Sequence, residues 1–295
     1  MNNTPNINYY AKLINDSIDS LVPQCDYNES IVFDAMKYSL SIGGKRIRPA
    51  LVFEFCRVCG GDIEKALPFA MALEMVHTYS LIHDDLPCMD NDDTRRGMPS
   101  CHIKYGESYA LLAGDALLTL AFELIAESEI AKSNPKIGLE AVKILSKFAG
   151  VCGMIGGQVV DLQSEGKKIS LDTLKTMDTL KTGMLIKAGA QLGALTANAS
   201  EKQFECATKY AVNLGHAFQI VDDILDVIGD EKVLGKATGA DKLNDKSTYV
   251  SLLGLEKSQD YAKKLTDEAL KCLDIFGDEA EFLKNLALEL LSRNK

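Results

Sequence analysis

The stretch Ser80 to Gly97 reads S-L-I-H-D-D-L-P-C-M-D-N-D-D-T-R-R-G. It crowds the carboxylates Asp84, Asp85, Asp90, Asp92 and Asp93 together and follows them at once with Arg95 and Arg96. The run before it, Ala70 to Ile82, is largely apolar and carries no breaker, so it reads as a buried helix. Pro87 disfavours helical backbone at Leu86, which predicts that the helix ends near Asp84 and Asp85. Carboxylates there face the negative end of the helix macrodipole. Cations bound between them would make the crowding tolerable, and all-oxygen donors suit Mg²⁺ or Ca²⁺ rather than Zn²⁺. An EF-hand starting at Asp90 fails, because Arg95 stands at the sixth position, where glycine is needed, and Cys101 at the twelfth. Mg²⁺ held by a few carboxylates and substrate phosphates fits better. A solvated acidic loop is the alternative, as for most charge runs, but the apolar helix and the two arginines speak against it.

A second acidic set lies far downstream in F-Q-I-V-D-D-I-L-D, residues 218–226. Asp222 and Asp226 share one helix face, with Asp223 beside them, and like charges at that spacing cost a few tenths of a kcal/mol. They follow an apolar run, an odd place for an acidic surface patch. Basic and glycine-bearing residues trail this set too, at Gly235-Lys236 and Lys246.

Other polar residues interrupt apolar sequence. Gly43-Gly44-Lys45-Arg46-Ile47-Arg48-Pro49 is phosphate-seeking in type: small residues permit close backbone approach, and three basic side chains follow. It is no Walker A loop, because Ser39 replaces the first glycine and Arg46 the Ser/Thr; a basic helix cap explains it equally well. His77 lies two helical turns before Asp84 and projects from roughly the same face. In Gly156-Gly157-Gln158-x-x-Asp161 and Lys181-Thr182-Gly183, a buried lysine or aspartate needs a partner, either a ligand or an ion pair.

The elements that must position these groups read as helices. Long segments rich in Ala, Leu, Met, Glu and Lys run at helical spacing, prolines number only 7, and no two-residue alternation is convincing. The expected fold is all-α, a large helical bundle around a central cavity, and residues 1–295 read as one domain. Segments 70–84, 108–127 and 207–228 look apolar nearly all round, as central helices should. Asp115, Glu123 and Lys187 break the apolar runs, so no membrane span is expected. A net charge of -10 argues against nucleic acid as the main partner. The 8 cysteines show no paired zinc spacing, which fits free thiols in a reducing, cytoplasmic setting. Facing aspartate sets with basic flanks and apolar walls suit a hydrocarbon diphosphate.

These motifs, in this order, resemble those of the trans-isoprenyl diphosphate synthases over roughly residues 30 to 260. D-D-L-P-C-M-D (84–90) is similar to the family's first aspartate-rich motif, in its bacterial form. D-D-I-L-D (222–226) is similar to the second, and G-G-K-R-I-R-P, R-R-G, G-G-Q-x-x-D, K-T-G and G-K-x-x-G-x-D accompany them. The bacterial farnesyl diphosphate synthases (geranyltranstransferases) look most alike. The resemblance implies a cytoplasmic homodimer that condenses isopentenyl diphosphate head-to-tail with dimethylallyl and geranyl diphosphate, using Mg²⁺, about three ions per site. A geranyl or geranylgeranyl product is the alternative within the same chemistry. Asp84, Asp90 and Asp222 match metal ligands, with Asp85, Asp223 and Asp226 orienting ligands or basic groups. Lys45, Arg48, His77 and Arg96 match the isopentenyl diphosphate site, Arg95, Lys181 and Lys236 the allylic diphosphate site, and Gly44 is a further substrate-binding position. Thr182 and Gln219 match polar groups beside the reacting carbons. Tyr79 and Ser80 match the pair that controls product length. Leu180, where a histidine often precedes K-T-G, and Asn91, which interrupts a run of aspartates, depart from the pattern. A class I terpene cyclase is disfavoured by the intact D-D-x-x-D second motif, and a di-iron bundle by the lack of Glu-x-x-His pairs.

Overall fold

The computed structural model describes residues 6–22, 30–228 and 247–293. Apart from one two-residue hairpin, regular structure among them is helical. The chain groups into two compact units, Met1–Lys143 with Leu195–Asn198, and Ile144–Ala194 with Ala199–Lys295.

In the first unit, α1 (Ile7–Leu21), α2 (Ser30–Ser41) and α3 (Ile47–Val58) precede α4 (Ile63–Asp84). Helix α4 starts earlier than its apolar run suggests, because the Asp62 side chain caps it at the Glu64 N–H, 3.0 Å away. It then passes through Pro68 and ends at Asp84, as Pro87 predicts. Ala70, Met71, Leu73, Met75 and Val76 are fully buried, and each large apolar side chain so buried contributes about 1.5–3 kcal/mol. That rigid rod, packed on α3 and α6 (Glu107–Glu127), holds the acidic segment at its end.

Helix α6 departs from the sequence reading. Ala113, Leu117 and Ala121 pack inward, but Tyr109, Leu111 and Leu112 are exposed, so it is not buried on all sides. By length and composition it could also cross a bilayer, with an 18-residue window of mean hydropathy 1.6. The sequence reading expects no such run; averaged over the helix, leucine and alanine outweigh Asp115 and Glu123.

The second unit includes α9 (Met154–Ser164), α10 (Leu171–Asp178), a π-helical turn (Thr179–Gly183), α11 (Met184–Thr196) and α12 (Glu201–Ile228). Helices α13 (Tyr249–Leu253), α14 (Leu255–Cys272) and α15 (Glu281–Ser292) follow. Its core sets Ile220, Val221, Ile224 and Leu225 of α12 against Tyr249, Ala262 and Leu265, which fixes the face on which the second aspartate set emerges.

Candidate active site

In the first unit the backbone turns back on itself after α4. The Asp90 N–H donates to the Asp84 carbonyl at 2.8 Å, and those of Met89 and Asn91 to the Leu86 carbonyl, which draws the two expected metal-ligand residues together. Asn91, the departure from an aspartate run, has φ 53, a left-handed conformation that asparagine tolerates best among residues with a side chain. Asp85 faces elsewhere: it is buried, and it accepts from Arg95 Nε at 3.0 and 3.2 Å and from Nη2. Burial raises the Asp85 carboxyl and Arg95 works against that shift. Asp85 is thus a carboxylate that aims a guanidinium, as the sequence reading has it.

R-R-G forms the tip of the hairpin β1 (Thr94–Arg95) and β2 (Met98–Pro99). Arg96 and Gly97 occupy its two-residue turn at φ 56 and 77, the paired left-handed geometry of a tight hairpin. Glycine supplies it without strain, and Arg96 accepts it at some cost. The turn lays the Arg96 guanidinium over Gly44: a Cβ added there would lie 2.4 Å from Arg96 Nη1, so glycine is required for this approach.

Beside this pair stand Arg48 and His77, with Arg48 Nη1 3.4 Å from His77 Nε2. Arg48 Nε is buried and meets no hydrogen-bond partner among the described residues. An orphaned guanidinium nitrogen among Gly44, His77 and Arg96 suits a diphosphate oxygen. Burial lowers the Arg48 guanidinium to about 10, so it remains charged at neutral pH. Burial, then Arg48, Arg96, Arg46 and Arg95, hold His77 well below the usual histidine range, which leaves a neutral imidazole. Lys45 is exposed beside Gly44. Arg46 corrects the grouping of three basic side chains as phosphate-seeking: it is buried and paired with Glu74 at 2.5 Å. Upstream of Asp84, Tyr79 is 5 % exposed and edge-on to His83 at 5.7 Å, and the Ser80 hydroxyl donates to the His77 carbonyl at 2.9 Å.

In the second unit Lys181 and Thr182 sit in the π-helical turn, and π turns recur at functional sites because the extra residue re-aims side chains. Lys181 Nζ donates to Asp161 of α9 at 2.5 Å, so the two half-buried side chains satisfy each other as an ion pair. The glycines of G-G-Q-x-x-D explain themselves here. A Cβ on Gly157 would lie 2.2 Å from the Lys181 backbone nitrogen, so α9 packs directly on the turn. Leu180, where the family often has histidine, points its side chain towards Gly156 of the same helix. We therefore expect Gly157→Ala to displace the turn, lowering stability by about 1–3 kcal/mol and turnover with it. Thermal melting and steady-state kinetics check this.

Gln219 and Asp222 are half-buried on α12. Asp222 accepts from Arg293 Nη2 at 2.5 Å, and the same nitrogen reaches the Phe218 carbonyl at 3.1 Å. Asp223 accepts the Tyr249 N–H at 2.7 Å and so anchors the start of α13. Sequence reasoning missed Arg293, and also Thr179 and His216, whose side chains meet at 2.7 Å and tie the π turn to α12. Lys236 lies outside the described residues. Among the described residues no three His, Cys, Asp or Glu side chains converge into a self-sufficient metal site. The donors are oxygen atoms from few carboxylates, which fits a cation that takes its remaining ligands from phosphate and water.

Residues 29–286 match the profile of the polyprenyl synthetases. The chain belongs to the polyprenyl synthetase family. It is 41% identical over 289 residues to the farnesyl diphosphate synthase of Escherichia coli K12, covering 97% of each chain. It is 45% identical over 287 residues to a geranylgeranyl diphosphate synthase of Cyanophora paradoxa, covering 96% of this chain and 94% of that one. An FPP/GFPP synthase from Zymomonas mobilis, solved in its apo form, superposes with a TM-score of 0.86 at 36% identity, covering 97% of both chains. The chain is a trans-prenyl diphosphate synthase, a prenyltransferase of isoprene biosynthesis.

Proposed function

We propose that this polyprenyl synthetase joins isopentenyl diphosphate to dimethylallyl and then geranyl diphosphate, giving (2E,6E)-farnesyl diphosphate and releasing diphosphate. Tyr79 carries the choice of product: an aromatic side chain buried five residues before Asp84, a helical rise of about 7.5 Å, makes a floor for the growing chain. A geranylgeranyl product is the second reading, favoured by the 45% identity to the Cyanophora geranylgeranyl diphosphate synthase.

In this reading Asp84, Asp90 and Asp222 would hold Mg²⁺. When bound, the ions neutralise charge that builds on the departing diphosphate. Arg48, His77, Lys45 and Arg96 seat isopentenyl diphosphate, the neutral imidazole acting as a hydrogen-bond donor. Arg95 and Lys181, pre-aimed by Asp85 and Asp161, would take the allylic diphosphate, a role the motif match also gives Lys236. As the allylic C–O bond breaks, its electrons stay with the diphosphate. The isopentenyl double bond then attacks the allylic carbon, and the released diphosphate takes the C2 proton, so no side-chain base is required. Thr182 and Gln219 offer oxygen atoms to the positive carbon. The exposed Leu111 and Leu112 on α6, 46% and 49% accessible, support a homodimer closed over that face. Free thiols at the described cysteines fit a cytoplasmic enzyme.

Mass analysis of the products from isopentenyl and dimethylallyl diphosphates with Mg²⁺ tests the reading. A fifteen-carbon diphosphate is expected; a twenty-carbon one selects the second reading, and no condensation sinks both. The two substrate sites separate by kinetics. Arg48→Ala and His77→Ala should raise KM for isopentenyl diphosphate about tenfold or more, the order of one charge-assisted contact, while Lys181→Ala raises KM for the allylic substrate. An Arg48→Ala effect confined to the allylic KM would exchange the two assignments.

A further inference from the structure

Arg46 is the basic residue of the Lys45–Arg48 segment that the proposed reaction leaves unused. Its Nη1 donates to Glu74 Oε1 at 2.5 Å, and its Nη2 to Asn15 Oδ1 at 3.0 Å and to the Leu40 carbonyl. Arg46 is 4% and Glu74 2% exposed, so a buried charged pair is bolted between α1, α2 and α4. Replacing such a pair with apolar groups is often neutral or stabilising, so stability alone gives little reason for it. Fixing geometry is the better-attested use.

The geometry it fixes lies at the isopentenyl diphosphate residues. Arg46 has φ 50, a left-handed conformation unfavourable for a side chain of this size. It is the residue from which α3 springs: its carbonyl accepts the Ala50 N–H at 3.0 Å, while its side chain caps nothing. Arg48 stands two residues further on, in the first turn of α3. Glu74 lies one helical turn before His77 on α4. The pair therefore ties the root of α3 to the turn of α4 that presents His77. Arg48 and His77 themselves approach only to 3.4 Å, too weakly to hold each other.

We infer that the Arg46–Glu74 ion pair is a positioning device of the isopentenyl diphosphate site, setting α3 against α4 so that Arg48 and His77 stand side by side. This rests on the functional reading above. Glu74 serves the site electrostatically as well, because its charge favours the protonated form of Arg48 against burial and Arg96.

Three variants test it. Glu74→Gln keeps the shape and removes the charge; Arg46→Met with Glu74→Leu removes both charges and keeps an apolar fill. Each should raise KM for isopentenyl diphosphate at least tenfold, with kcat and the allylic KM within about twofold, and calorimetry of isopentenyl diphosphate alone should show the same loss. Arg46→Lys, which restores charge without the fork, should fall between. Thermal melting accompanies every variant. A double variant that melts like the unaltered protein and binds isopentenyl diphosphate equally well overturns the positioning role. Failure of the unaltered protein to bind isopentenyl diphosphate overturns the functional reading, and this assignment with it.

Discussion

Asp84→Ala and Asp222→Ala each lower turnover by about 10²-fold or more and leave the fold intact. The magnitude follows from the chemistry: a group that stabilises charge developing in a dry transition state is worth about 10²–10³ in rate. Asp84 closes α4, and its carbonyl takes the Asp90 N–H, so the two carboxylates crowd the negative end of the helix. Removing one relieves repulsion, which is why stability should hold. At Asp222 the change releases Arg293, whose guanidinium also lies over the Phe218 ring at 4.3 Å and so keeps a second contact. Asp85→Ala differs in cause: it strips Arg95 of its bidentate partner and leaves the half-buried guanidinium with Asp92 alone, 3.6 Å away. Turnover measured against Mg²⁺ concentration separates these cases. The Asp84 and Asp222 variants should need more Mg²⁺ as well as turning over slowly, whereas Asp85→Ala should chiefly raise the allylic KM. Turnover near that of the unaltered protein in Asp84→Ala or Asp222→Ala removes the metal assignment.

The end of α4 was legible because the information is local: an apolar run, two aspartates and Pro87 decide where a helix stops. The division of labour among the carboxylates was legible in part. Asp85 as an orienting group agrees with its Arg95 pairing, but sequence alone could not show that the hairpin turn at Arg96-Gly97 brings Arg95 back to it. The π turn at Thr179–Gly183 left no mark in the sequence, since Leu-Lys-Thr-Gly reads as ordinary helix. Its cause is tertiary: Gly157 lets α9 press on the Lys181 backbone. Arg46, to which the resemblance gives no role, is a related case. Three basic residues within four positions look alike as letters, and only the burial of Glu74 distinguishes the one turned inward. On α6, periodicity reported apolar content faithfully, but content does not say what covers it, and Leu111 and Leu112 lie exposed.

Tyr79→Ala should shift the product from fifteen carbons to twenty or more. Tyr79 lies on α4 five residues before Asp84, a rise of about 7.5 Å at ~1.5 Å per residue. Its ring is 5 % exposed, and its hydroxyl meets no hydrogen-bond partner among the described residues. Burial, with Asp84 adding to it, pushes that hydroxyl up to about 12, so it stays protonated and uncharged. A buried hydroxyl without a partner contributes nothing to stability and costs its desolvation. The ring is therefore the part that acts, and Tyr79→Phe should keep the fifteen-carbon product and raise the melting temperature. Tyr79→Ala opens the space the ring fills and should cost roughly 3–5 kcal/mol of stability through the cavity, so folding must be checked beside product. Tyr79→Leu halves that risk and should give a mixture of lengths. Chromatography of the dephosphorylated alcohols reads the outcome directly. A folded Tyr79→Ala enzyme that still stops at fifteen carbons places the floor at another side chain, and a Tyr79→Phe enzyme that overruns it transfers the role from the ring to the hydroxyl.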